Sequence, residues 1–263
     1  PGADRSYTIE AMMQDGKALQ ACTSHDLGQH FAKSCNIQFL GRDGQQHLAY
    51  TTSWGLSTRS IGGLIMSHGD DDGLILPPKI APHHVAIIPV VKDEGGAEVI
   101  EHCVKLAARL KAAGIRVQLD VSDERTPNKM WAAIKKGIPL RVEIGQREMA
   151  EGKLTYIRRD IGRDSKATVS ADEFVSTAQK TLDQIQSNML ARSRQSTKER
   201  IFDVKTVAEA REFYKADKNG FCCLDAAAIQ NADFEALKKE HAVTPRCLPF
   251  VDEGRKVLIG KSY

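Results

Sequence analysis

Apolar and polar positions alternate over Tyr7–Met12 and again over Ala18–Ser24, with the turn-forming Asp15-Gly16-Lys17 between them, which predicts an opening β-hairpin. A short helix around Gly28–Ser34 follows, then a second hairpin from Ile37 to Thr52 turning at Gly41–Gly44. A helix is predicted from near Thr58 to about Gly69, and the Pro77-Pro78 pair reads as a stiff linker that no helix can continue through. The next stretch changes rhythm. His84–Val91 is a nearly continuous apolar run of the kind found in a buried parallel strand. From about Ala97 to Ala113 the spacing becomes helical, with Val99, Cys103, Leu106 and Leu110 on one face and Gly114 as the stop. A strand over Ile115–Ser122, a helix opened by Thr126-Pro127 and ended by Gly137, and strands in Pro139–Gly145 and Lys153–Asp160 complete an α/β pattern. Beyond it, a long helix runs from Ala171 to about Arg194, a second amphipathic helix covers Asp203–Lys215, and the last residues read as a strand pair turning at Glu253-Gly254. Three units are expected: residues 1–79, 80–165 and 166–263, together α/β and α+β.

Charge changes this picture only slightly. Net charge is +3, but 1–79 carry 6 Lys/Arg against 8 Asp/Glu, 80–165 carry 15 against 12, and 166–263 carry 16 against 14. An acidic first third joined to two basic ones suits a small-molecule site attached to a polyanion-binding region. No run approaches the roughly 20 apolar residues a membrane helix needs, and no signal segment opens the chain, so a soluble, cytoplasmic protein is expected. The six cysteines are spread out, in keeping with a reducing compartment. The start at Pro1, inside a structured-looking segment, reads as a fragment.

Candidate chemistry is concentrated in three stretches. In Ser53–Asp71, Ser57 and Thr58 are good N-caps and Arg59 falls in the first helical turn, where a cation opposes the helix dipole unless a bound polyphosphate compensates. Gly62 and Gly63 each cost about 1 kcal/mol in a helix interior, which a close approach of another backbone or a ligand would justify. An ordinary surface arginine on a core helix fits the same residues. In Gly16–Lys33, strand alternation puts Gln20, Cys22 and Ser24 on one face and Ala21, Thr23 and His25 on the other. Thr23 and His25 suit a small zwitterion, or a hydrogen-bonded core histidine. In Lys135–Asp160, Arg141 and Glu143 share a strand face, with Arg147, Lys153, Arg158 and Arg159 near in sequence, which suits either base recognition or a salt-bridged sheet edge.

The sequence Gly55-Leu-Ser-Thr-Arg59, its Gly-containing helix and the following His68-Gly-Asp-Asp resemble the third signature motif of class II aminoacyl-tRNA synthetases. Tyr7–Met13, Asp15–Gln20 and Thr23–Lys33 are similar to prolyl-tRNA synthetases of the archaeal/eukaryotic type, although Ala21-Cys22 replaces a pair that usually contains glycine. The resemblance implies the end of an antiparallel-sheet catalytic domain over 1–79, an α/β anticodon-binding domain over 80–165, and a linker helix with a small α/β domain over 166–263. It implies attachment of proline to tRNA(Pro) through a prolyl-adenylate, with ATP and Mg²⁺. Arg59, Ser57, Gln20 and Thr23 would contact the nucleotide. Thr23, His25 and Gly55 would line the proline pocket, and Arg59, Thr23 and His25 form the catalytic group. Arg141, Glu143 and Arg147 would read an anticodon rich in guanine. Motifs 1 and 2 of the family are not in these 263 residues, so the chain alone is not expected to aminoacylate, and a homodimer is expected of the complete protein. The family's four-thiolate zinc site is not expected: Ala227 stands where a second ligand after Cys222 belongs, leaving Cys222, Cys223 and Cys247 too few. The final Tyr263 also looks like the family, in which the last tyrosine tucks its carboxylate toward the catalytic domain. A non-catalytic tRNA-binding or regulatory relative, and a sister synthetase for threonine or glycine, are the rival readings.

Overall fold

A computed structural model describes residues 2–91 and 96–263. Pro1, where the expected first unit begins, and 92–95, within the expected second, lie outside the described residues. Two compact units emerge: residues up to Ser67 together with Ser196–Tyr263, and His68–Gln195.

In the first, β1 (Arg5–Met12), β2 (Ala18–Asp26) and β5 (Thr52–Leu56) form an antiparallel sheet in the order β1-β2-β5. Between β2 and β5 lie α1 (His30–Cys35) and the hairpin of β3 (Gln38–Leu40) with β4 (Gln46–Leu48). The helix α2 (Arg59–His68) follows β5. The β1–β2 turn needs its glycine: Gly16 has φ +77°, and a Cβ there would stand 2.7 Å from the Asn219 Cβ.

The regular alternation expected of β2 does not hold. Ile9 pairs with Cys22 and Glu10 with Gln20, so Ala21 is the extra residue of a β-bulge. The bulge shifts the phase by one residue. Gln20, opposite Glu10, therefore shares a face with Thr23, opposite Thr8, and with His25, opposite Ser6. Neither Ala21 nor Cys22 takes a left-handed backbone, both being absent from the positive-φ residues, so this pair does not require the glycine that the resembling family usually places in it.

The second unit is an α/β layer structure. Its strands are β6 (Val85–Pro89), β7 (Val117–Leu119), β8 (Leu140–Ile144), β9 (Lys153–Arg158) and β10 (Ala167–Ser170), in the order β10-β9-β8-β6-β7. β6 is parallel to both β7 and β8, whereas β9 and β10 add antiparallel pairs. The helices are α3 (Gly96–Ala112), α4 (Thr126–Lys135), the short α5 (Gln146–Ala150) and α6 (Ala171–Lys198). Val99, Cys103, Leu106 and Leu110 of α3 are buried with Val85, Ile87, Leu140 and Val142, and Phe174, Leu182 and Ile185 of α6 join the same core. On the other sheet face, Ala86 and Ile88 pack against Ala133 and Ile138. The Pro77-Pro78 stretch, expected as a connector, is held along this unit. Leu74 and Leu76 donate backbone N–H groups to the Lys135 and Gly137 carbonyls, and the Arg116 guanidinium donates to the Pro78 and Ala81 carbonyls.

The residues from 196 onward have more sheet than the sequence suggested. β11 (Ile201–Asp203), β12 (Phe221–Asp225), β13 (Val243–Cys247) and β14 (Lys256–Lys261) run in the order β11-β12-β14-β13, with α7 (Val207–Lys215) and α8 (Ala232–His241). Tyr214, Phe234, Leu237 and Ile259 form their core. Thr206 caps α7 by accepting the Glu209 N–H, and Asn231 caps α8 by accepting the Phe234 N–H.

Candidate functional site

The first candidate site lies on the face of β2 that the bulge assembles. Thr23 pairs with Gly55 of β5, and a Cβ on Gly55 would stand 3.3 Å from Thr23 Oγ1, so the glycine leaves open the space above the hydroxyl. His25 Nδ1 is 2.8 Å from Ser6 Oγ, a contact that fixes the ring on the same face. Gln20 is half-buried and makes no side-chain hydrogen bond among the described residues. β5 then leads into α2. Ser57 Oγ accepts the Arg59 N–H at 3.3 Å, and the first turn of α2 contains no acidic residue. Arg59 is exposed, with no carboxylate among the described residues paired to it. A guanidinium at the start of a ten-residue helix whose first turn carries no acid is a receptor for anionic oxygen. Gln20, Thr23, His25 and Gly55 are thus on one sheet face, while Ser57 and Arg59 follow directly at the end of β5.

Helix α2 is anchored close to this sheet. Ser60 Oγ donates to the Ser57 carbonyl at 2.9 Å and lies 3.5 Å from the carbonyl of the bulged Ala21. Of the two mid-helix glycines, only Gly63 answers to close packing. The opposite sheet face carries Tyr7, Ile9, Trp54 and Leu56 in paired positions, with Trp54 80% exposed and Leu56 75% exposed, and they border an apolar groove of about 460 Å³.

The second candidate site lies in the His68–Gln195 unit. A cavity of about 570 Å³ is bordered by Trp131 and Ile134 of α4, Arg141 of β8, and Arg158, Arg159 and Arg163. The arginines are not equivalent. Arg141 Nε donates to Glu143 Oε1 at 2.9 Å, and both side chains are mostly buried. Arg158 forks to Asp160, whose side chain is 1% exposed, at 3.0 and 2.9 Å. Arg159 forks to Asp70 and holds that carboxyl below the ordinary carboxylate range through these hydrogen bonds. Arg163 has no carboxylate partner among the described residues, so it is the guanidinium most available to an incoming anion. Arg147 lies apart on α5, 85% exposed and paired with Glu151 at 3.1 Å, and it does not border the cavity. Trp131 and Arg163 were not singled out from the sequence. The one available signal for them was their nearness to the Arg141 and Arg158-Arg159 positions.

Among the described residues, no group of three or more His, Cys, Asp or Glu side chains is placed to hold a metal ion. Cys222 is fully buried, and burial raises its thiol to about 11. Cys223 and Cys247 face Leu258 of β14 from the strands on either side. Tyr263 donates its phenol to Asp15 Oδ2 at 2.5 Å, its N–H reaches the Ala18 carbonyl at 3.2 Å, and Lys17 Nζ lies 4.9 Å from its ring centre. The contact is made by the side chain and backbone N–H. No helix among the described residues is long and apolar enough to cross a membrane.

Residues 84–181 match the family described as "Anticodon binding domain", which encloses the second cavity except for Asp72. The chain is 41% identical over 275 residues to a proline–tRNA ligase of Bdellovibrio bacteriovorus, covering 99% of this chain and 54% of that protein. It is 44% identical to a proline–tRNA ligase of Frankia alni, over 95% of this chain and 52% of that protein. It is 40% identical to the chloroplastic/mitochondrial proline–tRNA ligase of Arabidopsis thaliana, over 95% of this chain and 46% of that protein. The chain spans about half the length of these curated relatives. Along that half, and nearly throughout its own length, it is a homologue of the proline–tRNA ligases and carries an anticodon-binding domain.

Proposed function

We propose that this chain is part of a cytoplasmic ligase that attaches proline to tRNA(Pro) using ATP. In this reading residues 1–79 are the end of a class II catalytic domain, 80–165 the anticodon-binding domain, and 166–263 a linker helix with a small accessory domain. The observation that carries it is Arg59, exposed at the acid-free start of α2 and directly following a strand whose Gly55 leaves space over Thr23.

The chemistry asks for positioning more than for covalent work. The proline carboxylate oxygen attacks the α-phosphorus of ATP, the bond to the bridging oxygen breaks, and pyrophosphate leaves. A terminal ribose hydroxyl of the tRNA then attacks the activated carbonyl, with AMP departing and the hydroxyl proton passing to solvent. Arg59 neutralises phosphate charge, and Ser57 and Gln20 hold the nucleotide. Thr23 and His25 orient the amino acid above Gly55, where any side chain would intrude. Mg²⁺ bound with the nucleotide supplies further charge neutralisation. Arg141, Glu143 and the cavity beside them receive anticodon bases, with Arg147 at the periphery. The complete protein acts as a homodimer in this reading.

The test is proline-dependent ATP–pyrophosphate exchange by the full-length protein. Wild type should exchange with proline, and Arg59→Ala should lose at least about a hundredfold in kcat/KM. Exchange with threonine or glycine but not proline, or full activity in Arg59→Ala, would refute the assignment. The cavity in the second unit also suits RNA binding without catalysis, and retention of proline tRNA on a filter with no exchange by any amino acid would establish that second reading.

A further inference from the structure

Glu10, on the same sheet face as the first candidate site, forms a mostly buried ion pair with Arg246. The Glu10 side chain is 3% exposed and that of Arg246 13%. Both guanidinium contacts go to one carboxylate oxygen: Arg246 Nε and a terminal nitrogen donate to Glu10 Oε2 at 3.0 and 2.7 Å. Thr244 Oγ1 accepts a third bond from the same guanidinium at 3.0 Å. The other oxygen, Glu10 Oε1, is buried with no hydrogen-bond partner. A buried carboxylate oxygen left without a donor is costly, so a donor is to be expected when the site is in use. Glu10 is the cross-strand partner of Gln20, and paired side chains on one sheet face start about 4.5–5.5 Å apart at Cβ. Gln20 has two amide N–H donors and uses neither among the described residues. The orphan acceptor and the idle donor group belong to cross-strand partners.

We propose that Arg246 is a positioning residue for Gln20: by holding Glu10 through Oε2, it aims Oε1 at the Gln20 amide. When Gln20 Nε2 donates to that oxygen, the amide can no longer flip, and its own oxygen is presented to the bound ligand as an acceptor. The ligand group opposite Gln20 is then a donor, an amine or hydroxyl of the nucleotide. This rests on the reading of Gln20 as a nucleotide contact given above. It also assigns a task to β13, a strand far from β2 in sequence.

The experiment is a set of variants in the full-length protein, measured by proline-dependent ATP–pyrophosphate exchange and by thermal melting. Arg246→Met should raise the KM for ATP about tenfold with kcat changed less than about twofold. It should also lower the melting temperature, because it strands a buried carboxylate. The double variant Glu10→Met with Arg246→Met removes both charges and should recover the melting temperature while keeping the high KM. In a Gln20→Ala background, Arg246→Met should raise KM no further. Recovery of the wild-type KM in the double variant, or full additivity with Gln20→Ala, would show that the pair serves stability alone. Absence of exchange in the wild type would instead overturn the ligase reading, and this inference with it.

Discussion

Gly63 of α2 lies so close to Leu19 of β2 that a Cβ on the glycine would stand 2.6 Å from the Leu19 Cδ2. Leu19 is 3% exposed, with little room to yield. At Gly62 the same construction meets nothing within 4 Å. The two neighbours should therefore respond oppositely to alanine. Gly62→Ala should stabilise by about 0.5–1 kcal/mol through helix propensity. Gly63→Ala gains the same propensity but overpacks the core at about 1–3 kcal/mol, for a net loss. Chemical denaturation of the two single variants measures both signs.

The cavity in the second unit predicts how RNA binding divides among its arginines. Arg141→Ala should weaken binding of an anticodon stem-loop of proline tRNA by about 1–3 kcal/mol and relax its base preference. Arg163→Ala should weaken it for all sequences and reduce the slope of log K against log salt by about 1. Arg147→Ala, on an exposed helix away from the cavity, should do less than either. Trp131, 46% exposed at the cavity edge, supplies the signal. In a Trp54→Phe background its fluorescence should be quenched on binding.

Asp70 and Arg159 predict an acid-side change in stability. Hydrogen bonds from Arg159 lower the Asp70 carboxyl from its ordinary 3.8, and partial burial opposes them more weakly. A depressed carboxyl contributes stability above its unfolded value and loses it as the pH falls through the folded one. Asp70→Asn should therefore destabilise at pH 7, by about 0.5–1 kcal/mol for a partly exposed pair. The gap from wild type should close as the pH falls below 3.8. Melting curves across that range report it.

Tyr263 predicts the opposite, alkaline dependence. The hydrogen bond to Asp15 raises its phenol from 10.0 to about 12. Asp15 moves down in concert: burial pushes it up, and hydrogen bonds from Tyr263 and Lys17 outweigh that. A raised group contributes fully below its unfolded value and loses the contribution as pH rises through the folded one. The stability difference between wild type and Tyr263→Phe should thus be constant between pH 3.8 and pH 10, shrink as the pH rises toward about 12, and shrink again in acid as Asp15 protonates. Tyrosine absorbance during alkaline titration should show one late component that the variant lacks.

Much of this was legible in the chain because the signals were local. Val99, Cys103, Leu106 and Leu110 marked α3 by spacing, and Asp15-Gly16-Lys17 marked the first turn. Arg141 and Glu143 were placed on one strand face by period two, and the structure joins them directly. What escaped was set by partners distant in sequence. β11 is three residues long and exposed, and exists because it pairs in parallel with Phe221–Cys223. β10 is a four-residue strand with one partner, too short to carry a pattern. Trp131 and Arg163 meet at one cavity only because α4 and the loop after β9 flank the same strands. The roles of Gln20, Thr23, His25, Ser57 and Arg59 came from resemblance to a family; periodicity alone put Gln20 on the wrong side.

The extra residue in β2 also governs how this strand tolerates change. In a systematic substitution scan, an even strand would show sensitive sites at every second position. Here, on the face that carries the candidate site, the sensitive positions should be 20, 23 and 25, a gap of three and then of two, with position 21 permissive between them. That uneven beat, recorded from survival alone, would betray the kink without any coordinates.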